Sequence, residues 1–155
     1  MTGSKSIWTR KSPRLPVEIV RVQTHALLEF FRDHEREALR AFYEFPVVWH
    51  EQAYGFAAVE GEDTIAAGTL YVAASLGHVE RLIVTPDRRR AGIGRAILAE
   101  MADVANYYNC HKMTVMVPNG RSAQRFFEAC GYGVEAVLPQ HTFKLDMAMM
   151  RKYLL

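Results

Sequence analysis

The chain has 155 residues, the size of one domain against a usual range of about 100–200. Half of its residues are hydrophobic and 23% are charged, which excludes a largely disordered chain. The 19 Lys and Arg against 17 Asp and Glu leave a net charge of +2, too small by itself to indicate a nucleic acid or an anionic membrane as partner.

Neither a membrane span nor an export signal is predicted. The longest apolar stretch, residues 65–76, is interrupted by polar residues and is shorter than the roughly 18 that a membrane helix needs. The first sixteen residues are polar and basic, without the apolar centre of a secretory signal. Cys110 and Cys130 form no CxxC pair, which favours two reduced thiols over a disulfide framework. We therefore expect a cytoplasmic protein with no membrane partner.

In the first third of the chain the sequence predicts a leader, a strand and a helical region. Residues 1–14 are expected to form a loose leader, and residues 15–155 a single domain. Alternation over 17–22 predicts a first strand. Helical spacing of apolar residues begins at Thr24, the expected N-cap, and Pro46 ends this region, as one helix or as two short ones.

The middle of the chain predicts an antiparallel meander. Three runs rich in strand-forming residues, 54–59, 64–73 and 77–84, are separated by turn residues at 61–63 and 75–77.

The last third alternates helices and strands. Apolar residues between 97 and 108 line one face of a helix, and alternation over 112–117 predicts a strand with Met113, Val115 and Val117 on one side. Residues 122–130 predict a short helix capped by Ser122 and ended by Gly131, and 134–138 with 141–150 predict a terminal hairpin. The order of elements indicates one mixed α/β domain.

Residues 84–96 carry the strongest functional signal. They leave a strand, pass through an arginine run and open a helix at Gly92 and Gly94. The N-terminus of a helix attracts anions, and glycines let backbone amides approach the oxygens of a phosphate. A dinucleotide fingerprint would need a small residue where Ile97 stands, and a Walker loop would need Gly-Lys-Ser/Thr where Gly94-Arg95-Ala96 stands. On these residues alone, a tight turn with a solvated basic rim remains an alternative.

Two segments resemble one family. Residues 89–94, Arg-Arg-Ala-Gly-Ile-Gly, are similar to the R/Q-x-x-G-x-G/A pyrophosphate loop of the GNAT family of N-acetyltransferases, and residues 80–86 resemble the strand that feeds this loop. Residues 119–132 resemble the family's N…A…FY…GF segment, so the match covers about a third of the chain, 79–132. The resemblance implies a GNAT-like mixed α/β single domain, with a central twisted sheet splayed at an acetyl-CoA cleft and helices on both faces.

The resemblance also implies acetyl-CoA as co-substrate. Backbone amides at the start of the helix would bind its pyrophosphate, nearby arginines would add positive charge, and the end of the preceding strand would pair with the pantetheine arm. The residues implied are Leu82, Ile83, Val84, Arg89, Arg90, Ala91, Gly92, Ile93, Gly94 and Arg95.

Catalysis requires a group that takes a proton from the attacking amine. The strand that precedes the loop carries His78 and Glu80, and in a regular strand both would share a face with Leu82 and Val84. In the family a glutamate on this strand often serves as the base or orders the water that does, so Glu80 is the first candidate and His78 the second. For Glu80 a plain ion pair with an arginine stays open, and for His78 an exposed surface position.

The chain departs from the family at two places in the second segment. Phe127 stands where the family commonly has a tyrosine that acts as general acid near the CoA sulfur. A phenyl ring cannot donate a proton, so that role is vacant or falls to water or another hydroxyl. Asn119 lies one residue further from Gly131 than is common, and Ser122 is the substitute if its contact to the pantetheine arm is absent.

The acceptor pocket is predicted less sharply. Its candidates come from the region before the meander and from the terminal hairpin: Trp49, His50, Glu51, Tyr54, His141 and Asp146. No metal site is expected, because His50-Glu51 would need a second histidine where Tyr54 stands.

The predicted function is direct transfer of an acetyl group to an amine, on a small molecule or a peptide, in a ternary complex. Phe127 keeps one alternative open, a non-catalytic acyl-CoA-binding module of the same fold. A nucleic-acid partner for residues 88–90 is not expected, given the low net charge. Relatives often dimerise, so a homodimer is considered beside a monomer.

Overall fold

The computed structural model describes residues 10–11 and 16–154 and divides into two compact units, Met1–Val48 and Trp49–Leu155. The predicted leader, 1–14, lies outside the described residues except for Arg10–Lys11. Those two residues form strand β1. Among the described residues, no helix combines the length and the apolar character needed to cross a bilayer.

The first unit holds a short hairpin and one helix. Strand β1 pairs antiparallel with β2, Glu18–Ile19, so the strand predicted over 17–22 is only two residues long. Helix α1 spans Leu28–Tyr43 and ends at Glu44, whose φ of 64° is left-handed.

The prediction that Thr24 caps this helix is wrong. Thr24 begins a separate 3-10 turn, Thr24–Leu27, in which the Ala26 amide donates to the Gln23 carbonyl at 3.0 Å. The α-helix starts only after this turn, so its N-cap position falls on Leu27, and no side chain caps it.

The second unit begins with the predicted meander. Strands β3 (Glu51–Glu60), β4 (Asp63–Ala73) and β5 (Leu76–Val84) follow one another through tight turns and pair antiparallel. The prediction is confirmed, with each strand rich in strand-forming residues and each turn two residues long.

Two crossover helices complete the sheet. Helix α2 (Ile93–Tyr107) leads to β6 (Lys112–Pro118), and α3 (Ser122–Ala129) leads to β7 (Gly133–Leu138) and β8 (Met147–Tyr153). The six strands lie in the order β3-β4-β5-β6-β8-β7, with β5 and β6 as the parallel pair. The mixed α/β fold is therefore confirmed, and so is the antiparallel pairing of β7 with β8. The second strand predicted over 141–150 begins only at Met147, because residues 142–144 form a 3-10 turn, so this part of the prediction is wrong.

One face of this sheet carries the core. Met113, Val115 and Val117 point to it as predicted, and the apolar sides of α2 and α3 pack against the same face. Gly68 lies under α2, where a Cβ would stand 2.5 Å from Cε of the fully buried Met101. The core is therefore tightly filled at this point.

The start of α3 differs from its prediction by one residue. Arg121 is the N-cap, since its carbonyl accepts from the amides of Gln124 and Arg125, and Ser122 is the first helical residue. The prediction of Ser122 as cap is thus wrong, whereas Gly131 follows the end of α3 as predicted and has a left-handed φ of 90°.

Candidate active site

Strands β5 and β6 separate part-way along their length. Their parallel pairing runs from Leu76↔Lys112 to Val79↔Val115 and stops there. Beyond this point β5 still pairs with β4, up to Val84↔Ala66, while β6 continues on β8. The edge of β5 that faces β6 is consequently open from residue 80 onward. This is the splayed cleft that the sequence predicts, and it leaves backbone groups free to pair with an extended ligand.

The N-terminus of α2 opens toward the end of this cleft. Gly92 is its N-cap with a left-handed φ of 80°, a conformation that favours glycine. The amide of Ala96 donates to the Gly92 carbonyl at 3.0 Å and is the first to find a partner within the helix. The amides of Ile93, Gly94 and Arg95 precede it and have no helical acceptor, and together with the helix dipole they form a site for an anion.

A cavity of about 740 Å³ joins the open strand to this helix terminus. All the cofactor-binding residues predicted from the sequence line it except Ala91 and Asn119. The lining residues are Leu82, Ile83, Val84, Arg88, Arg89, Arg90, Gly92, Ile93, Gly94, Arg95, Ser122, Ala123, Phe126 and Phe127.

Helix α3 forms the far wall of the cavity. Asn119 lies in the turn before it, where its backbone amide donates to the Asp146 carbonyl at 2.9 Å. Asn119 does not line the cavity, whereas Ser122, its predicted substitute, does. Sequence reasoning missed Ala123 and Phe126, although their spacing from Ser122 and Phe127 places all four on one helical face. Phe126 would lie 3.0 Å from a Cβ at Gly94, so a glycine there lets the two helices approach closely.

The arginines around the anion site are already engaged to different degrees. Arg88, which was not among the predicted cofactor residues, pairs with Glu60 at 2.6 Å and with Asp87 at 3.1 Å, and the pairing with Arg88 lowers the pKa of Glu60. Arg89 donates through Nε to the Val84 carbonyl at 3.1 Å and ties the loop to the end of β5. Arg95 donates to the Ala129 carbonyl at 2.8 Å and ties α2 to α3. Each of the last two keeps further N–H groups for a ligand.

The predicted single face for His78, Glu80, Leu82 and Val84 is wrong. In the ladder with β4, Thr69 pairs with Arg81 and Leu70 with Val79, so Glu80 has no partner and forms a β-bulge. The extra residue reverses the alternation of side chains. Val79 before the bulge, and Leu82 and Val84 after it, all pack toward the core.

His78 and Glu80 therefore lie on the sheet face opposite α2, at the inner end of the cleft. Glu80 is exposed, and His78 is half-buried. Nδ1 of His78 lies 2.8 Å from Oγ1 of Thr114, its neighbour on β6. Burial lowers the pKa of His78 below its usual 6.5, and the charge of Glu80 opposes this shift. The imidazole is therefore neutral at physiological pH and able to accept a proton.

The candidates for an acceptor pocket fall into separate groups and do not form one site. Glu51 accepts hydrogen bonds from the Trp49 indole at 2.9 Å and from the Tyr71 hydroxyl, and both donors lower its pKa. Tyr71 pairs with His78 across β4 and β5, so Glu51 and Tyr71 belong to the same face as His78 and Glu80.

The other acceptor candidates lie elsewhere. Tyr54 packs against the core face, where its ring and that of His50 contact Tyr108. His141 and Asp146 bond within their own loop, to Thr142 and Gln140. Sequence reasoning missed Tyr71 and Thr114, and only strand pairing identifies them. The described part of the chain contains no group of three His, Cys, Asp or Glu placed to hold a metal.

Comparison with known proteins decides the family. The model of the acetyltransferase (GNAT) family matches residues 19–132, well over half of the chain. The chain belongs to the GNAT family. A glucosamine 6-phosphate N-acetyltransferase of Trypanosoma brucei brucei is 28% identical over 58 residues, which is 37% of this chain and 38% of that protein. The match therefore spans well under half the length of that relative.

Solved structures agree on the fold. An acetyltransferase from Bacillus cereus superposes with a TM-score of 0.67 at 15% identity, over 88% of this chain and 97% of its own. A Bacillus subtilis acetyltransferase in complex with CoA gives a TM-score of 0.61 at 12% identity, over 87% and 95% of the two chains. The protein thus has the GNAT acetyltransferase fold over most of its length.

Proposed function

We propose that the protein is an acetyl-CoA-dependent N-acetyltransferase that transfers the acetyl group directly to an amine in a ternary complex. One observation carries this proposal: the open part of β5 begins beside His78 and Glu80 and ends at Val84, in the cavity at the N-terminus of α2. A strand rises about 3.3 Å per residue, so Glu80 lies roughly 13 Å and His78 roughly 20 Å from Val84, where β5 reaches the cavity. An extended donor that lies along β5 would reach both.

The residues of the cavity fit acetyl-CoA. The amides of Ile93, Gly94 and Arg95 would bind the pyrophosphate, and Arg89 and Arg90 would add positive charge. Backbone groups of Leu82 to Val84 would pair with the pantetheine arm. The Bacillus subtilis neighbour was solved in complex with CoA, which supports CoA as the kind of ligand this fold takes.

The chemistry needs a neutral amine. At pH 7 a lysine-like amine with a pKa of about 10.4 loses its proton at a cost of roughly 4–5 kcal/mol. Glu80 and His78 are the groups at the inner end of the cleft that would accept this proton. A free amide of Leu82 or Val84 would stabilise the oxyanion that forms when the amine attacks the thioester.

The acceptor is proposed to be an amine on a small molecule or a peptide. The arginine run is a poor match for a nucleic acid, because Glu60 and Asp87 already neutralise Arg88. The exposed carboxylates of Glu80 and Glu51 on the acceptor side would attract a cationic amine.

A screen for CoA release tests the proposal. Wild-type protein is incubated with acetyl-CoA and a panel of amines, the free thiol is followed spectrophotometrically, and the acetylated product is identified by mass spectrometry. Glu80→Gln should slow the reaction by about 10²-fold or more. Glu62→Gln, an exposed carboxylate in the β3–β4 turn, is the matched control and should leave the rate unchanged. Turnover that is equal in wild type and Glu80→Gln contradicts the role given to Glu80.

Phe127 favours a second candidate, a non-catalytic acyl-CoA-binding module. This ring is 5% exposed, lines the cavity and packs between Phe126 and Tyr132, so no hydroxyl stands at the position of the family's general acid. The binding module predicts that acetyl-CoA binds but no amine in the panel releases CoA. A thiol pKa of about 8.5 makes CoA a tolerable leaving group without an acid, which is why we place the enzyme first.

A further inference from the structure

A row of side chains crosses the sheet at the point where the cleft begins. Tyr71 on β4 pairs with His78, His78 with Thr114, and Thr114 with Arg151 on β8. The His78↔Thr114 pair is followed by one more parallel pair before β5 and β6 separate. The imidazole therefore lies at the inner end of the cleft, where the proposed donor and acceptor would meet.

Thr114 is an unusual residue in this position. Among residues 16–154 it is the one polar residue that is buried, with 7% of its surface exposed. Its hydroxyl lies 2.8 Å from Nδ1 of His78, which makes this nitrogen the one that bonds to the protein. The remaining ring nitrogen, Nε2, is left for a ligand.

The direction of this hydrogen bond decides what Nε2 can do. A neutral imidazole carries one N–H and one lone pair. If Nδ1–H donates to the Thr114 hydroxyl, Nε2 holds the lone pair and is able to act as a base. After Nε2 takes up a proton, Nδ1–H continues to donate, so the bond survives both states of the ring. In the opposite tautomer Nε2 already carries hydrogen, and protonation of Nδ1 would break the bond or turn the hydroxyl.

The charged and titratable groups around the ring come from four strands. Glu80 lies on β5 itself, and Tyr71 faces the ring from β4 with Glu51 of β3 hydrogen-bonded behind it. Arg151 follows Thr114 on β8, but its guanidinium lies 4.7 Å from the centre of the Tyr153 ring, turned along its own strand. Burial keeps the imidazole neutral, as its lowered pKa indicates.

We propose that Thr114 is a positioning residue that holds His78 in the Nδ1–H tautomer, so that Nε2 accepts the proton of the incoming amine. This inference rests on the proposed acetyl transfer. In the step itself an N–H bond of the ammonium group breaks and an Nε2–H bond forms. The electron pair stays on the amine nitrogen, which then attacks the thioester carbonyl carbon and forms the C–N bond. The C–S bond of the thioester breaks, CoA leaves as its thiolate, and this thiolate takes the second proton that the nitrogen loses. The proton leaves the imidazolium to solvent.

Two substitutions at Thr114 separate the hydroxyl from its volume. Thr114→Val keeps the shape and removes the acceptor, whereas Thr114→Ser keeps the hydroxyl and serves as the conservative rescue. The ring is observed directly in the full chain by ¹H–¹⁵N NMR of ¹⁵N-histidine protein, with His78→Gln assigning the signals. We expect the Nδ1–H tautomer in wild type and Thr114→Ser, and its loss in Thr114→Val.

Kinetics provide the second readout. His78→Gln should lower kcat by about 10²-fold or more. Thr114→Val should give an intermediate loss and shift the acidic limb of the kcat/KM pH profile, with KM for acetyl-CoA unchanged, and Thr114→Ser should restore the wild-type profile. An Nε2–H tautomer in wild type, or a tautomer and pH profile that Thr114→Val leaves unchanged, would overturn the inference. The NMR result needs no substrate, so it stands apart from a wild-type protein that acetylates no amine, which would refute the proposed function instead.

Discussion

Gly92→Glu is the substitution that addresses the anion site most directly. Gly92 has a φ of 80°, and no atom lies within 4 Å of the place where its Cβ would stand, so the new side chain would enter the cavity and not the core. A left-handed backbone costs a residue other than glycine about 1–2 kcal/mol of stability. A carboxylate about 4 Å from a bound phosphate charge adds a repulsion of about 4 kcal/mol at an effective dielectric constant of 20. This corresponds to an increase of about a thousandfold in the Kd for acetyl-CoA.

Gly61→Glu is the matched control. Gly61 has a φ of 62° and equally open surroundings, but it lies in the β3–β4 turn and does not line the cavity. Isothermal titration with acetyl-CoA should show the wild-type Kd in Gly61→Glu and a very weak Kd in Gly92→Glu. In a thermal scan, acetyl-CoA at 100 times the wild-type Kd should stabilise wild type and Gly61→Glu by about 2.7 kcal/mol. The same concentration should stabilise Gly92→Glu far less. An unchanged Kd in folded Gly92→Glu would refute the assignment of the anion site.

Three further outcomes are expected. Gly68→Ala should lower the free energy of unfolding by about 1–3 kcal/mol, since its methyl group would overlap the filled core. Gly55→Ala is the control: a methyl group there, on the neighbouring strand, meets open space and should leave the free energy of unfolding unchanged. Urea titration of both variants measures the difference. The folded pKa of His78 lies below its unfolded value, so protons bind the unfolded chain more strongly. The contribution of His78 to the free energy of unfolding is present above about pH 6.5 and is lost as pH falls through the folded pKa. When unfolding is measured from pH 5 to 8, wild type should therefore lose more stability toward pH 5 than His78→Gln does. Free energies of unfolding that change with pH in the same way in both proteins would contradict this. Cys110 and Cys130 are free and buried, and burial raises the pKa of both thiols, so each should react with a thiol reagent only after denaturation.

The sequence by itself determined the elements of the second unit and the position of the anion site. Hydrophobic patterns that repeat every two or about four residues predict the meander, the strand over 112–117 and the helix that follows Gly92. Such a pattern depends on neighbouring residues only, so it can be read without knowing which distant parts of the chain meet. The unpaired amides proposed to bind an anion are likewise a local property of the turn and the helix terminus. For this reason nearly all the predicted cofactor residues do line one cavity.

Only the tertiary structure decided how the catalytic candidates are arranged. The bulge at Glu80 exists because β5 holds one residue more than β4 at this point of their pairing. No residue pattern within β5 predicts it. The contact between His78 and Thr114 joins positions 36 residues apart through the parallel register of β5 and β6. A one-residue difference in register would move each side chain to the other face of the sheet. Strand pairing therefore determines which residues meet at the cleft, whereas the sequence determines only which residues are available to do so.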